Sequence, residues 1–356
     1  MIVFIILYAA LCLWKVQLKP STGSNYIKDY ASVDKTMSMK GIFIIMVFFS
    51  HFNSYVTYTA PLDVAYKTYF SMIGQCMVTM FMFWSGYGVM ESVRKKGMSY
   101  VGKIPLTRVL GTYFRFDIAI VLFAVLQLIL GNVYKPSQYL LSLIGWDSLG
   151  NSNWYIFAIA VAYALTFIAF EIGRDKGKWF ISASILTVGI VAYIYILAHF
   201  KLKEVWWYDT IICYACGVWY SLCREVIEKI INKNIFVWLV FFAVSAAGTL
   251  YFIKTGKNSF LHRELCMLFF TAFMVIMSMH ISLHNKILKW CGQHLFGLYI
   301  LQRIPMIVFR EIGVAEFNIY LYFVLCAAVT VVMAWLFEKY TGILWKKIAS
   351  PKKKTA

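Results

Sequence analysis

Charged residues are scarce in this chain. Only 14% of its 356 residues are Asp, Glu, Lys or Arg, whereas 61% are hydrophobic and the mean hydropathy is +0.71. A soluble domain of this size needs far more polar surface to cover its core. The composition therefore excludes a soluble globular protein and indicates an all-α, polytopic protein of the membrane.

Acidic residues are the scarcer of the two charge types. The chain has 16 Asp and Glu against 34 Lys and Arg, which gives a formal net charge of +18. The basic residues come in short bursts between apolar runs and do not form one amphipathic face. Membrane topology explains such bursts first, because Lys and Arg collect in cytoplasmic loops. The sequence thus predicts no nucleic-acid partner.

Disulfide frameworks, metal clusters and sequence repeats are also missing. The eight cysteines lie almost entirely within or at the ends of apolar runs, so they predict neither a redox compartment nor disulfides. Cys213 and Cys216 form a CxxC pair, which we interpret as packing on a membrane helix, and no metal site is predicted. No loop is long enough to fold as a soluble domain.

A window of about 19 residues finds about 11 predicted membrane spans, each long enough to cross a bilayer. They cover residues 1–18, 41–59, 68–91, 113–131, 153–171, 179–198, 205–223, 235–253, 264–283, 294–310 and 318–337. In the first span Lys15 and Lys19 follow the apolar core, which predicts an anchor instead of a signal peptide. We expect an anchor and loop at 1–36, a membrane domain at 37–340 and a basic tail at 341–356.

The basic residues alternate between the two sides of these spans. One side carries the bursts at 15–35, 94–108, 174–178, 224–233, 286–289 and 346–354. The other carries fewer, namely Lys67, Lys135, Lys201, Lys203, Lys254, Lys257, Arg263 and Arg310. The positive-inside rule therefore predicts a cytoplasmic carboxyl terminus and an amino terminus outside the cell.

The run KGIFIIMVFFSH, residues 40–51, ends on a histidine at the predicted middle of a span. A titratable side chain at that depth is costly and rarely lacks a role. Lys40 and His51 share one helix face, about 16 Å apart along the axis. Ser54 and Tyr58 continue this face beyond His51, and Asn53 and Tyr55 lie alongside it, which predicts a hydrated cavity. The alternative is a histidine bonded to a carbonyl for helix packing.

The run FMFWSGYGVMES, residues 81–92, combines small residues with hydroxyls. Gly86 and Gly88 permit close approach of a backbone or a thin ligand, and Ser85 and Tyr87 offer hydroxyls. Cations follow at the predicted cytoplasmic surface and suit a polyphosphate: Arg94, Lys95, Lys96, Lys103, Arg108 and Arg115. Helix packing by the glycines, a Glu91 ion pair and the positive-inside rule are the alternatives.

Arg303 lies about nine residues into the tenth predicted span. A lone guanidinium at that depth is unfavourable unless it is paired or hydrated. Glu264 and Asp209, in other spans, are possible partners, so a buried ion pair is one interpretation and a substrate contact is the other.

Four features together resemble the membrane acyltransferase family three, ten-helix enzymes that O-acylate bacterial polysaccharides, lipopolysaccharide and peptidoglycan. They are Lys40 and Gly41 with His51, the SGY segment at 85–87, the NWYI at 153–156 and the GLYILQ at 297–302. The resemblance covers roughly residues 37 to 337. This chain departs from the family pattern at Lys40, Pro105 and Gln302, where arginine, arginine and histidine are usual.

The resemblance implies a reaction and its partners. The donor is acyl-CoA, most often acetyl-CoA, and the acceptor is a hydroxyl of a glycan or lipid-linked saccharide at the outer face of a bacterial cell membrane, beside other polysaccharide-biosynthesis proteins. His51 is the expected general base or acyl carrier. Donor-binding candidates are Lys40, Ser85, Tyr87, Arg94, Lys95, Lys96 and Arg108. Acceptor-binding candidates are Asn53, Ser54, Tyr58, Asn153, Trp154, Tyr155, Glu264, Tyr299, Gln302 and Arg303.

A secondary transporter or flippase is the alternative function, with His51 and Arg303 as a proton or anion relay. Such folds often have two similar halves and spans broken by Gly or Pro. Here no repeat is visible, and only Pro305 interrupts a predicted span; the others lie outside, namely Pro20, Pro61, Pro105, Pro136 and Pro351. Both observations favour the enzyme.

Overall fold

The computed structural model describes residues 1–19, 25–174, 179–255 and 259–349. Several residues used above therefore lie outside the described part: Pro20, Lys176, Lys178, Lys257, Pro351, Lys352, Lys353 and Lys354. Among the described residues, seven helical segments are long and apolar enough to cross a membrane: Met98–Ile129, Trp154–Ile172, Trp179–His199, Val205–Ile231, Ile235–Thr255, Phe260–Ser278 and Ile319–Ala349. The chain is a multi-pass helical membrane protein.

Every predicted span overlaps at least one helix. The α-helices are α1 Ile2–Leu13, α2 Val33–Phe52, α3 Pro61–Ile73, α4 Cys76–Lys96, α5 Met98–Val101, α6 Gly111–Ile129, α7 Pro136–Leu143, α8 Trp154–Ile172, α9 Trp179–His199, α10 Ile212–Ile231, α11 Ile235–Thr255, α12 Phe260–Ser278, α13 Lys286–Gln293, α14 Leu295–Leu301, α15 Arg303–Glu311, α16 Val314–Phe317 and α17 Ile319–Ala349. A π-helical turn covers Pro105–Leu110 and a 3₁₀ turn covers Val205–Trp207.

Helix α2 differs from the predicted span 41–59. It begins earlier, at Val33, and ends at Phe52. In the turns that follow, the Ser54 and Tyr55 amides each donate to the carbonyl three residues earlier, that of His51 and that of Phe52. Pro61 disfavours helical backbone at the preceding residue, Ala60, which is extended. The β-branched residues between Tyr55 and Ala60 also favour extended chain. The prediction that Ser54 and Tyr58 continue the helical face of His51 is therefore wrong.

Two predicted spans are each divided into two helices. The predicted span 68–91 is shared between α3 and α4, and α3 begins at Pro61, a residue favoured in the first helical turn. The predicted span 294–310 is broken at Gln302, between α14 and α15. Pro305 has no amide hydrogen to bond the carbonyl four residues earlier, which is where α14 ends.

The chain groups into two compact units. Unit 1 contains Met1–Ser50, Tyr58–Ile104 and Val161–Gln293. Unit 2 contains His51–Thr57, Pro105–Ala160 and His294–Ala356.

Glycines set the close helix contacts of unit 1. A Cβ on Gly86 of α4 would overlap the Tyr214 carbonyl of α10, and a Cβ on Gly217 would overlap the Phe83 carbonyl. A Cβ on Gly41 of α2 would likewise overlap the Leu288 carbonyl of α13. These helix pairs pack backbone to backbone, which a larger residue would prevent.

Segments predicted to share one side of the membrane meet within unit 1. Strands β1 Gln17–Leu18 and β2 Ile281–Ser282 pair antiparallel. Nε2 of His284 lies 3.1 Å from a carboxylate oxygen of Asp34. On the other predicted side, the amino terminus of Met1 pairs with Asp63 at 2.8 Å. The alternation of loops therefore agrees with the contacts, while the cytoplasmic assignment stays a prediction.

In unit 2, α6, α14 and α17 are joined through one carboxylate. Glu338 of α17 lies 3.3 Å from Nη1 of Arg115 and accepts a hydrogen bond from the Gly297 amide at 3.0 Å. Helix α17 continues to Ala349, so the first part of the predicted tail at 341–356 is helical and continuous with the last span.

Candidate functional site

His51 lies in the last turn of α2 and belongs to unit 2. The next residue, Phe52, is fully buried, with ring centroids 4.8 Å from Tyr322 and 5.1 Å from Phe323 of α17. This anchor fixes the end of the helix. His51 itself is only partly buried, and its Nδ1 is enclosed without a hydrogen-bond partner among the described residues. That nitrogen is not engaged in helix packing.

Two sequence motifs meet beside the imidazole. The His51 ring lies 6.2 Å from the ring of Tyr299, from the GLYILQ motif, in a tilted arrangement. Tyr155, from the NWYI motif, meets the Tyr299 ring edge-on at 5.6 Å, and Trp154 packs at 6.0 Å against Tyr155. The structure thus gathers side chains from three regions of the sequence around one potential base.

Arg303 is held in this group by hydroxyls. Its Nε donates to Ser152 Oγ at 2.9 Å, and its Nη1 donates to Tyr55 Oη at 3.3 Å. Its guanidinium also lies 5.9 Å from the Tyr55 ring centroid. Both hydroxyls belong to unit 2, whereas Glu264 and Asp209 belong to unit 1. Neutral oxygens, not the carboxylates proposed from the sequence, position this cation.

Ser152 was missed by sequence reasoning. It directly precedes the NWYI motif and is buried, but a serine in a loop carries no signal of its own. Its role follows only from contact with a residue 151 positions away. The positive charge of Arg303 acts on the side chains of both His51 and Tyr299. Arg303 is therefore part of the same site as these two residues.

The two predicted amide side chains differ in what they bind. Asn153 donates through Nδ2 to the carbonyls of Gly145 and Asp147, both at 2.9 Å, which fixes the loop before α8. Gln302, fully buried at the α14–α15 break, donates through Nε2 to the Tyr299 carbonyl at 3.0 Å. Its Oε1 is buried without a partner among the described residues. A free acceptor therefore lies one residue before Arg303.

The region that contains this site matches a known family. The family model described as acyltransferase domain matches residues 37–339.

The chain belongs to the acyltransferase 3 family.

No curated protein and no solved structure matches it. Membership implies acyltransferase activity in general. The matched region contains His51 and the residues described around it, here called the His51 group: Tyr55, Ser152, Trp154, Tyr155, Tyr299, Gln302 and Arg303.

The remaining acceptor candidates of this acyltransferase are dispersed. Asn53 is buried and Ser54 is exposed, both in the turn after α2. Tyr58 and Glu264 belong to unit 1, where Oε1 of Glu264 is buried and lacks a hydrogen-bond partner in the described ranges. The structure gathers His51 with the other predicted residues of the site: Trp154, Tyr155, Tyr299, Gln302 and Arg303.

The SGY segment of the acyltransferase is used in packing. Gly86 forms the close contact with α10, and Tyr87 Oη accepts a hydrogen bond from Nη1 of Arg224 at 2.8 Å. Arg94 donates through Nη1 to Glu91 at 3.0 Å and to the Ser221 carbonyl at 2.9 Å. These contacts agree with the packing and ion-pair alternatives. Ser85 is half-buried on the same helix.

The other donor-binding candidates are cations in both units. Lys40 is half-buried in α2, and Arg108 lies in the π-helical turn of unit 2. Lys95 and Lys96 are exposed at the end of α4, and their ammonium groups have no partner in the part of the chain that the structure describes. No group of three or more His, Cys, Asp or Glu that could hold a metal ion occurs among the described residues.

Proposed function

We propose that this acyltransferase moves an acetyl or similar acyl group from cytoplasmic acyl-CoA to a hydroxyl of an extracytoplasmic glycan, with His51 as general base. One observation carries the proposal: the buried Nδ1 of His51, beside Tyr299 and Arg303, has no hydrogen-bond partner among the residues that the structure describes. A general base needs a nitrogen that is free to accept a proton. In a histidine that serves helix packing, that nitrogen is already hydrogen-bonded.

In the proposed reaction, His51 removes the acceptor proton as the hydroxyl oxygen attacks the thioester carbonyl. The tetrahedral intermediate collapses with cleavage of the carbon–sulfur bond, and the proton on the imidazole passes to the departing CoA thiolate. Transfer through an acyl-histidine is the second route. The imidazole nitrogen attacks the thioester carbonyl, the carbon–sulfur bond breaks and CoA leaves as the thiolate; the hydroxyl oxygen then takes the acyl group from the nitrogen, and its proton passes to the thiolate. Both routes need the same neutral, unengaged imidazole.

Arg303 is the group that suits the developing oxyanion. Ser152 and Tyr55 occupy its Nε and Nη1, which leaves Nη2 without a hydrogen-bond partner in the described residues. A positioned cationic donor of this kind stabilises an oxyanion by a few kcal/mol in a site that excludes water. Trp154 and Tyr155 supply the aromatic faces on which sugars stack.

The donor is proposed to enter from the predicted cytoplasmic side. Coenzyme A is a long anion, and the unpaired Lys95 and Lys96 are suited to its phosphates. Lys40 and His51 lie about 16 Å apart along α2, a distance comparable with the reach of the thin pantetheine arm. The alternative of a transporter or flippase finds no support in the family match.

The experiment compares the O-acetyl content of surface polysaccharide in cells with the wild-type gene, a deletion and His51→Ala. We expect the alanine variant to match the deletion at equal protein abundance in the membrane. His199→Ala is the control, because this histidine is exposed and stacks on Tyr195 of its own helix. Normal O-acetylation in an inserted, abundant His51→Ala protein contradicts the proposal.

A further inference from the structure

A cavity lies in unit 1 and is lined by residues of that unit alone among those the structure describes. Its volume is about 940 Å³, and it opens between the segment before α2 and the turn that joins α10 to α11. We call it the lysine cleft. Its lining residues are Tyr26, Lys28, Glu225, Glu228, Lys229, Ile230, Asn232, Lys233 and Val237.

One carboxylate of the lysine cleft is already satisfied by the protein. Glu228 accepts hydrogen bonds from the hydroxyls of Tyr26 and Tyr30, both at 2.7 Å, and from Nε of Arg224. Burial and the neighbouring Glu228 raise the pKa of Tyr26 to about 12, so its hydroxyl remains a donor at neutral pH. The negative charge of Glu228 is thus compensated by these donors of the protein. Among the described lining residues, Glu225 is the other carboxylate.

The ammonium groups of the three cleft lysines are unpaired among the described residues. Lys28, Lys229 and Lys233 are exposed, and their ammonium groups have no ion-pair or hydrogen-bond partner in the described ranges. The backbone at Lys28 is fixed, because Nη2 of Arg224 donates to its carbonyl at 3.1 Å. Two separate segments therefore bring three lysines to one concave surface. Among the described residues of its lining, these lysines are unpaired and Glu225 is the one acid without a partner.

Exposed apolar side chains adjoin these cations. Val226 and Ile230 of α10 are 62% and 52% exposed, and Phe236 at the start of α11 is 77% exposed. In a membrane-spanning helix such residues contact lipid chains, while lysines at its end reach toward the headgroups. Unpaired cations at the edge of an acyl-chain surface are suited to a molecule with a phosphate on a hydrocarbon anchor.

Topology alone explains why lysines occur at this end of α10, because positive residues collect on the cytoplasmic side. It does not explain a cavity of about 940 Å³ between them, nor the fixing of Lys28 by Arg224 across 196 residues. We propose that the lysine cleft binds the phosphate headgroup of an anionic phospholipid, with the acyl chains along Val226, Ile230 and Phe236. This inference does not depend on the acyl-transfer reaction.

The test uses the full chain purified in a neutral detergent. Retention of phosphatidylglycerol and phosphatidylcholine is measured by native mass spectrometry, together with the thermal unfolding temperature as each lipid is added. The cleft variant is Lys28→Gln/Lys229→Gln/Lys233→Gln. The control variant, Lys286→Gln/Lys346→Gln/Lys347→Gln, removes the same charge from exposed lysines elsewhere on the predicted cytoplasmic side.

We expect the cleft variant to bind phosphatidylglycerol about 100-fold more weakly, because three lysines near a headgroup contribute about 1 kcal/mol each. The control variant should stay within about twofold of wild type, phosphatidylcholine binding should be equal in all three proteins, and all three should unfold at the same temperature without lipid. Equal loss in both variants, or no loss in either, overturns the proposal.

Soluble phosphate is the competing source of the same chemistry. Inorganic phosphate and acetyl-CoA are therefore added at equal concentration of phosphate groups before the lipid. If either displaces phosphatidylglycerol from the wild-type protein but has no effect on the cleft variant, the cleft is a site for soluble phosphates and the lipid assignment is wrong. Retention of the lipid under both additions supports the lipid.

Discussion

The α4–α10 packing region of unit 1 and the His51 group of unit 2 use similar residue types for different purposes. Around α4, Tyr87 and Arg94 have protein partners, and Gly86 permits backbone contact with α10. Around His51, Nδ1 of the imidazole and Oε1 of Gln302 are buried and have no hydrogen-bond partner in the part of the chain that the structure describes. A buried polar atom left unpaired costs about 1–3 kcal/mol, so it requires an explanation that a paired atom does not.

Whether its polar groups are already hydrogen-bonded distinguishes a packing motif from a site motif in a membrane helix. A hydroxyl or cation whose hydrogen bonds are already made within the protein contributes to architecture. One that remains unpaired in an enclosed position is available to a ligand. By this criterion the SGY segment holds α4 to α10, while we propose that His51 and Gln302 take part in the reaction.

The largest effect should follow from His51→Gln. Glutamine keeps polarity and similar size but cannot act as a base, so we expect acyl transfer to fall by about 10²- to 10⁴-fold. The unfolding temperature should change little, because Nδ1 makes no hydrogen bond within the described residues. Acyl-CoA turnover in vesicles and thermal unfolding in detergent measure the two quantities. A protein that unfolds at much lower temperature would place His51 with the packing residues.

Arg303→Ala should lower turnover by about 100-fold, the usual cost of one oxyanion donor. Ser152→Ala removes only the oxygen that positions Nε and should cost about tenfold, with Arg303→Lys between the two because it keeps charge and loses the fork. Steady-state turnover at saturating acyl-CoA distinguishes them. Equal turnover in Ser152→Ala and wild type would show that the hydroxyl does not position the cation.

Gly86→Ala and Gly88→Ala test the packing side of the comparison on one helix. The Cβ of the first would overlap the Tyr214 carbonyl, whereas the second meets nothing within 4 Å. We expect Gly86→Ala to lower the free energy of unfolding by about 1–3 kcal/mol or more, and Gly88→Ala to stay within about 0.5 kcal/mol of wild type. Fluorescence-detected chromatography of heated samples provides the measurement. Equal stability would remove the close-packing explanation.

The smallest effect is expected from Tyr87→Phe. Loss of the hydrogen bond from Arg224 should lower stability by about 1 kcal/mol, while the Kd for acetyl-CoA stays within about twofold of wild type. Calorimetric titration of the purified protein measures the affinity. An affinity tenfold weaker at unchanged stability would return Tyr87 to the donor site.

Each predicted span overlaps at least one helix of the described residues, while the number of membrane crossings stays a prediction. The sequence predicts the helical membrane class, because long apolar runs and alternating basic loops are strong signals. It does not predict the division of 68–91 between α3 and α4, which occurs at a short polar and glycine-containing turn within an apolar run. Pro305, by contrast, is a visible reason for the break at Gln302. Helix ends depend on local competition between turns and helix, which window averages do not resolve.

The site is predicted in outline only. His51 stands out because a titratable residue deep in a span is rare, and the motifs at 153–156 and 297–302 enter through their resemblance to a family. Ser152 and Arg224 could not be found this way, since each acquires its role from a partner more than 100 residues distant. Such contacts come from the tertiary fold and leave no local pattern.

Helix α17 contains 31 residues and is therefore about 46 Å long, whereas the hydrocarbon layer it crosses is about 30 Å thick. If it stands upright, about ten of its residues extend into water as a rigid arm that includes Trp345, Lys346 and Lys347. A fluorescent label attached near Ala349 would then be held at a fixed height above the bilayer. Energy transfer from that label to a lipid dye would report the tilt of the helix directly.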